Sequence, residues 1–146
     1  MEVKIVETRD YLELAPLFQK SGLEVSLTEP PVHSIACYKV VDEEGKILGG
    51  VSVEHKVGIY TIGDIAVEES CRDLDIGSML LTKAMERIKD EGGKEIFLVA
   101  KAPKFFEKFG FDYITREETP DFTNCLKCDK FQVSCFPELM HLDKIK

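Results

Sequence analysis

Tyr60-Thr-Ile-Gly-Asp-Ile-Ala-Val67, Glu68-Glu-Ser-Cys-Arg-Asp-Leu-Asp75 and Ile76-Gly77-Ser78 follow one another without interruption. The first piece is a short run of β-branched and apolar residues, the second a polar turn, and the third opens an apolar-periodic segment. Leu80, Leu81, Ala84, Met85 and Ile88 recur at the three-and-four spacing of one helix face, while Thr82, Lys83, Glu86, Arg87, Lys89 and Asp90 take the other. Gly92-Gly93 stops the pattern. The stretch therefore reads as strand, tight turn, helix.

A glycine where a helix leaves a strand lets backbone N–H groups approach an anion, and the unpaired N–H groups and dipole of the helix favour negative charge there. Neither common nucleotide fingerprint is present, so ATP and dinucleotides are not the first expectation. Ile65-Ala66-Val67, a gap of four residues, and Arg72-Asp73-Leu74-Asp75-Ile76-Gly77-Ser78 resemble instead the acyl-CoA site of the GNAT acetyltransferase superfamily. Its pattern is Gln/Arg-x-x-Gly-x-Gly/Ala between a strand ending in Ala-Val and a helix. Asp75 stands where the family usually has its first glycine. Asp tolerates a left-handed backbone better than most residues, and its carboxylate is then expected to turn out to solvent.

A second segment carries the same resemblance. Lys94-Glu-Ile-Phe-Leu-Val-Ala-Lys101 reads as a buried strand, and Pro103 and Gly110 bracket a short helix. The ending Glu107-Lys108-Phe109-Gly110-Phe111 matches the family's Glu-Lys-x-Gly-Phe. The family often has a tyrosine just before it, which protonates the leaving thiolate; here the residue is Phe106, which has no proton to give. The Phe105-Phe106 version is similar to the branch of amino-acid acetyltransferases related to N-acetylglutamate synthase. The resemblance spans about residues 1–118.

It implies an α+β fold: a mixed, mostly antiparallel sheet of six or seven strands, covering helices, and a splayed parallel strand pair formed by 62–67 and 96–101. It implies acetyl-CoA as co-substrate, with Ile65, Ala66 and Val67 on the pantetheine arm and thioester. Arg72, Asp73, Leu74, Asp75, Ile76, Gly77 and Ser78 fall at the pyrophosphate turn, and Phe106 falls beside the thiol. The implied activity is direct transfer of the acetyl group to a primary amine of a small molecule or amino acid. A non-catalytic acyl-CoA sensor with the same fold is the alternative.

Such a transfer needs a neutral amine, a polarised carbonyl and a route for the proton. Asp64 and Glu54 are the candidate catalytic carboxylates, with His55 and Glu68 nearby in sequence. Strict strand alternation puts Asp64 on one face with Ile62 and Ala66, opposite Thr61, Gly63 and Ile65.

The remainder frames this centre. With 146 residues, 44% of them hydrophobic, residues 1–146 are expected to form one domain with a Cys-rich tail at 120–146. A net charge of −8 without a basic patch argues against nucleic acid as partner. No signal-peptide pattern follows Met1 and no apolar run is long enough to span a membrane, so a cytoplasmic protein is expected, with a homodimer allowed. Met1 to Val6, with Val3 and Ile5 alternating with Lys4, suits a first strand, and a helix is expected from Thr8-Arg-Asp10 to Gly22. Residues 24–34, with Pro30-Pro31, form either a substrate-facing loop or a connector. Residues 34–41 and 46–55 read as a hairpin around Asp42-Glu-Glu-Gly45, and Asp112-Tyr-Ile-Thr115 as a further strand.

Cys37 and Cys71 are isolated. Cys125, Cys128, Cys135 and His141 supply the four ligands that structural zinc prefers; a free-thiol cluster and a redox or disulfide pair are the other readings of the tail. Within it, either 132–136 or 139–142 is expected to add to the sheet edge.

Overall fold

The computed structural model describes residues 2–120 and 138–145. Its strands are β1 (Val3–Thr8), β2 (Ser34–Asp42), β3 (Ile47–Lys56), β4 (Ile59–Val67), β5 (Ile96–Ala100), β6 (Asp112–Tyr113) and β7 (Glu138–Leu142), and its α-helices α1 (Ala15–Lys20), α2 (Ile76–Asp90) and α3 (Pro103–Glu107). One sheet holds all seven in the order β1-β2-β3-β4-β5-β7-β6. Every neighbouring pair is antiparallel except β4 with β5. This is the expected α+β class.

The sheet buries both faces against helices. On one face α2 lays down Ile76, Leu80, Leu81, Ala84 and Ile88, each 0% exposed, over Val51, Val53, Ile62 and Leu98. At about 1.5–3 kcal/mol for a fully buried Leu or Ile, this stripe is a large share of the driving force. On the other face Tyr11, Leu14, Ala15, Leu17 and Phe18 pack with Cys37 and Ala66 in a separate cluster. Consecutive glycines in β3 admit the two layers. A Cβ on Gly49 would lie 2.8 Å from Ile76 of α2, and one on Gly50 would lie 2.8 Å from Leu14 on the opposite face.

Two elements differ from the sequence reading. The helix expected from Thr8 is divided into a 3₁₀ turn at Tyr11–Glu13 and a separate α1. Pro16, in the first turn of α1, has no N–H and would clash with a carbonyl one turn back, so no α-helix can run through it from Thr8. Residues 139–142 do form a strand, but β7 is internal, between β5 and β6, and the edge is β6. The reason is its burial: Leu139, Met140 and Leu142 are 6%, 0% and 6% exposed, which an outer strand would not achieve. The alternative at 132–136 lies outside the described residues. No helix among the described residues is long and apolar enough to cross a membrane.

The β3–β4 turn carries a local conflict. Val57 is left-handed, with φ 52°, and 85% exposed, so a β-branched side chain takes on strain and gains no burial. The Val57→Asn variant, which suits a two-residue turn followed by Gly58, is expected to be more stable by about 1 kcal/mol. A higher denaturant midpoint at unchanged slope checks this.

Candidate active site

β4 determines the site through its two edges. Toward β3 it pairs to its end, Gly49 opposite Val67. Toward β5 it has a single partner in register, Thr61 opposite Phe97. No further β4–β5 pair is in register, so the β5-facing backbone groups of 62–67 lie outside a ladder. The splayed parallel pair expected from the sequence is therefore present, with Ile65, Ala66 and Val67 along its open side.

The turn after Val67 is a 3₁₀ helix, Glu69–Leu74, which contains the backbone of Arg72 and Asp73. Asp75 joins it to α2 in the left-handed region, φ 56° and ψ 23°, and makes no side-chain cap bond. Its carbonyl accepts from Met79 N at 3.1 Å, starting the helix, while the amides of Ile76, Gly77 and Ser78 belong to the unpaired first turn. Asp75 thus adopts the glycine-like backbone expected of it, with its side chain exposed. Leu74 beside it is 43% exposed.

Gly77 has a neighbour that the sequence did not disclose. A Cβ there would meet the Phe105 ring at 3.3 Å, so the glycine seats α3 against the start of α2. Phe105 is the aromatic at the turn. Phe106, the expected contact, is 5% exposed and packs edge-on against Phe111 with centroids 5.7 Å apart. It belongs to the core beneath α2, where no hydroxyl is offered to a leaving group. Two adjacent Phe on so short a helix point to different faces, and the five residues of α3 carry no period that tells which faces the turn.

The candidate carboxylates meet on the α1 face, by a route that strict alternation misses. Ser52 opposes Asp64 and Val53 opposes Ile62, so Gly63 is an additional residue, a β-bulge. The bulge inverts the facing of the rest of β4. Ile62 points to the α2 core, whereas Ala66 lies in the α1 cluster and Asp64 reaches Tyr11 of that same layer. The expectation that Asp64 shares a face with Ile62 is corrected accordingly; it shares one with Thr61, Gly63 and Ala66.

Asp64 Oδ2 accepts from the Tyr11 hydroxyl at 2.8 Å and from Ser52 Oγ at 3.2 Å, and its amide donates to Ser52 Oγ at 3.0 Å. Glu54, paired with Thr61 across the strands, projects onto the same face. Burial pushes the Glu54 carboxyl up, the Asp64 charge adds to this, and Lys56 opposes it. Burial also raises Asp64, against the lowering hydrogen bonds from Tyr11 and Ser52. Tyr11 is itself pushed up, by burial and then by Asp64, so it stays a donor. Of the other acid-base candidates, His55 is stacked on Tyr60 with centroids 4.3 Å apart, and Glu68 pairs with Lys20 of α1 at 3.1 Å. Lys101 beyond β5 hydrogen-bonds Gly22 O, joining that strand's end to the end of α1.

Neither described cysteine is disposed as a nucleophile. Cys71 is 6% exposed in the α2 core. Cys37 is buried in the α1 cluster, and that burial pushes its thiol up, away from the reactive thiolate. Of the expected zinc ligands, Cys125, Cys128 and Cys135 lie outside the described residues. His141 is on β7, with Nε2 2.8 Å from Glu95 Oε2 and its ring stacked on Phe97. Among the described residues no three His, Cys, Asp or Glu converge as a metal site.

Comparison with known proteins agrees with this geometry. The model of the acetyltransferase (GNAT) family matches residues 7–111. An uncharacterised N-acetyltransferase of Chlorobaculum tepidum is 31% identical over 108 residues, 68% of this chain and 70% of that protein. Among solved structures, a GNAT-family acetyltransferase of Staphylococcus aureus Mu50 superposes with a TM-score of 0.75 at 17% identity, over 99% of this chain and 100% of that one. N-acetylglutamate synthase of Neisseria gonorrhoeae, solved with coenzyme A and N-acetyl-glutamate, gives 0.75 at 16% identity, over 100% of this chain but 36% of that one. The chain belongs to the GNAT acetyltransferase family and is an acyltransferase.

The buried carboxylates set a pH dependence of stability. A carboxyl raised in the folded state stabilises it below the ordinary carboxylate range, and that contribution is lost as pH rises through the raised value. Glu54→Gln removes an ionisation that folding disfavours. Its melting temperature should exceed that of the parent at pH 8, with the gap closing below about pH 4, where free glutamate is protonated; thermal melts across this range measure it.

Proposed function

We propose that the protein transfers the acetyl group of acetyl-CoA to a primary amine of a small molecule or amino acid, by direct attack on the thioester. The observation that carries this reading is β4 itself. It loses its β5 partner after Thr61 and runs directly into a turn and a helix start. A donor lying along this edge would meet amide and carbonyl groups at Ile65, Ala66 and Val67 that the sheet does not use. Its pyrophosphate would meet the amides from Leu74 to Ser78 and the positive end of α2, with Arg72 as counter-charge. Direct attack fits the described cysteines, both of them buried.

The bound ligands of the gonococcal enzyme support the choice of donor and an amino-acid-like acceptor. On the acceptor side, β3 and β4 present Glu54 and Asp64 beneath the Tyr11 turn, and an amine arriving as ammonium is drawn to carboxylates. No step calls on the cysteine tail, and we read residues 1–146 as one catalytic domain. An acyl-CoA sensor is the alternative, favoured by Asp75 at the anion turn and by Phe106 in the position of a proton donor.

Titration with acetyl-CoA, followed by assay of CoA release over a panel of amino acids and amines, separates them. Binding with release supports the enzyme; binding with no release from any acceptor supports the sensor. An acidic side chain at a helix N-terminus differs from a neutral one by about 0.3–1 kcal/mol toward an anion. Asp75→Gly should therefore tighten acetyl-CoA by about two- to fivefold in calorimetry. Gly77→Asp, which adds charge and pushes on Phe105, should abolish binding.

A further inference from the structure

We infer that Glu54, rather than Asp64, takes the proton from the acceptor ammonium, and that Gly63 is the positioning residue that seats it. The inference rests on the acetyl-transfer reading above. A Cβ built on Gly63 would lie 1.9 Å from Glu54 Oε2, 2.8 Å from its Cδ and 2.9 Å from Ser52 Oγ. The carboxylate therefore occupies the volume that any other residue at position 63 would fill with its side chain. The side chain leaves β3 and lies on the backbone of β4 at the bulge, two residues past the last β4–β5 pair and two before Ile65. The glycine is thus a seat, and its φ is not left-handed, so backbone freedom does not explain it.

The two carboxylates differ in what they have left to give. Asp64 Oδ2 is taken by two hydroxyls, Tyr11 at 2.8 Å and Ser52 at 3.2 Å. Ser52 is 0% exposed and is fixed in turn by the Asp64 amide. Asp64 is thereby held as an anchored charge. No hydrogen bond to the Glu54 carboxylate occurs among the described residues, so its lone pairs are open to an incoming N–H. Asp64 on β4, Tyr11 on the 3₁₀ turn, Cys37 on β2 and Lys56 on β3 are the ionisable groups that face it. Burial, and then the Asp64 charge, raise the proton affinity of Glu54, the direction that favours a general base.

The ammonium gives one proton to Glu54 and becomes an amine, whose nitrogen bonds the thioester carbon. The C–S bond breaks, the amine's second proton ends on the CoA thiolate, and Glu54 returns its proton to water. Asp64 enters only through its charge.

Four variants test this: Glu54→Gln, Asp64→Asn, Gly63→Ala and the double variant Gly63→Ala/Glu54→Asp. The readouts are kcat, the pH profile of kcat/KM, and acetyl-CoA affinity by calorimetry. Loss of a general base costs about 10²–10⁴ in rate. Glu54→Gln should lose that much and lose the acid limb of the profile, with acetyl-CoA affinity unchanged. Asp64→Asn should keep the limb and move it to lower pH. Gly63→Ala should fall about 10²-fold in kcat at unchanged acetyl-CoA affinity, and the shorter carboxylate of the double variant should recover at least tenfold of the loss.

The assignment is overturned if Glu54→Gln keeps the limb, if Asp64→Asn abolishes it, or if Gly63→Ala matches the parent. Should Gly63→Ala fail to fold, the two charge variants, which add no bulk, decide alone. A parent that binds acetyl-CoA and acetylates no acceptor defeats the underlying reading instead, a result distinct from all of these.

Discussion

A strand's side chains alternate between faces with a period of two, so one additional residue hands everything after it to the opposite side. Gly63 is that residue, and the site depends on it. Without the bulge the chain would carry Asp64 on round to the face of Ile62, among Leu80, Leu81 and Ile96. An unpaired charge there would cost several kcal/mol. With it, Asp64 meets two hydroxyls, Glu54 finds space above the backbone, and Ile62 stays in the apolar core. One inserted glycine thus reconciles a helix-covered sheet with a polar, acidic workplace on its other side.

The open β4–β5 edge is the second consequence of the same strand. Buried backbone groups need partners, and a parallel pair that meets at one residue leaves several without a ladder. The surrounding sheet carries the cost. β4 is held along its other edge by β3, and β5 by β7, so each strand keeps a full ladder on the side away from the gap. The apolar stripe of α2 closes onto β2, β3 and β4, with Gly49 admitting it to β3, and so braces β4 from the side away from the gap.

Much of this was legible in the residues. The strand, turn and helix from Tyr60 to Ile88 follow from β-branched alternation, then three-and-four periodicity, and the structure gives β4 and α2 at those places. The left-handed backbone at Asp75 followed from the steric tolerance of Asp. What escaped was non-local. The bulge is a property of β4 against β3, and nothing within Ile62-Gly63-Asp64 alone announces which residue goes unopposed. The internal place of β7 depends on β6 returning outside it. The choice between Phe105 and Phe106 turned on the rotation of α3, a five-residue helix too short to show a period. Pro16 was different: it stood in the sequence as a break within the expected first helix, and the apolar pattern around it concealed that.

The two faces of the sheet have separate cores that share no residue, although they sit on the same strands. Side chains of the Tyr11 turn and α1 pack on the face that carries Asp64 and Ala66, while α2 begins at the Asp75 turn and covers the other face. Changes in the first layer can accumulate without repacking the second. On the proposed reading, exchanging residues 8–23 would change what lies over Asp64 and Ala66 while leaving the packing of α2 in place. Two layers that share no residue let one vary in sequence while the other keeps its packing.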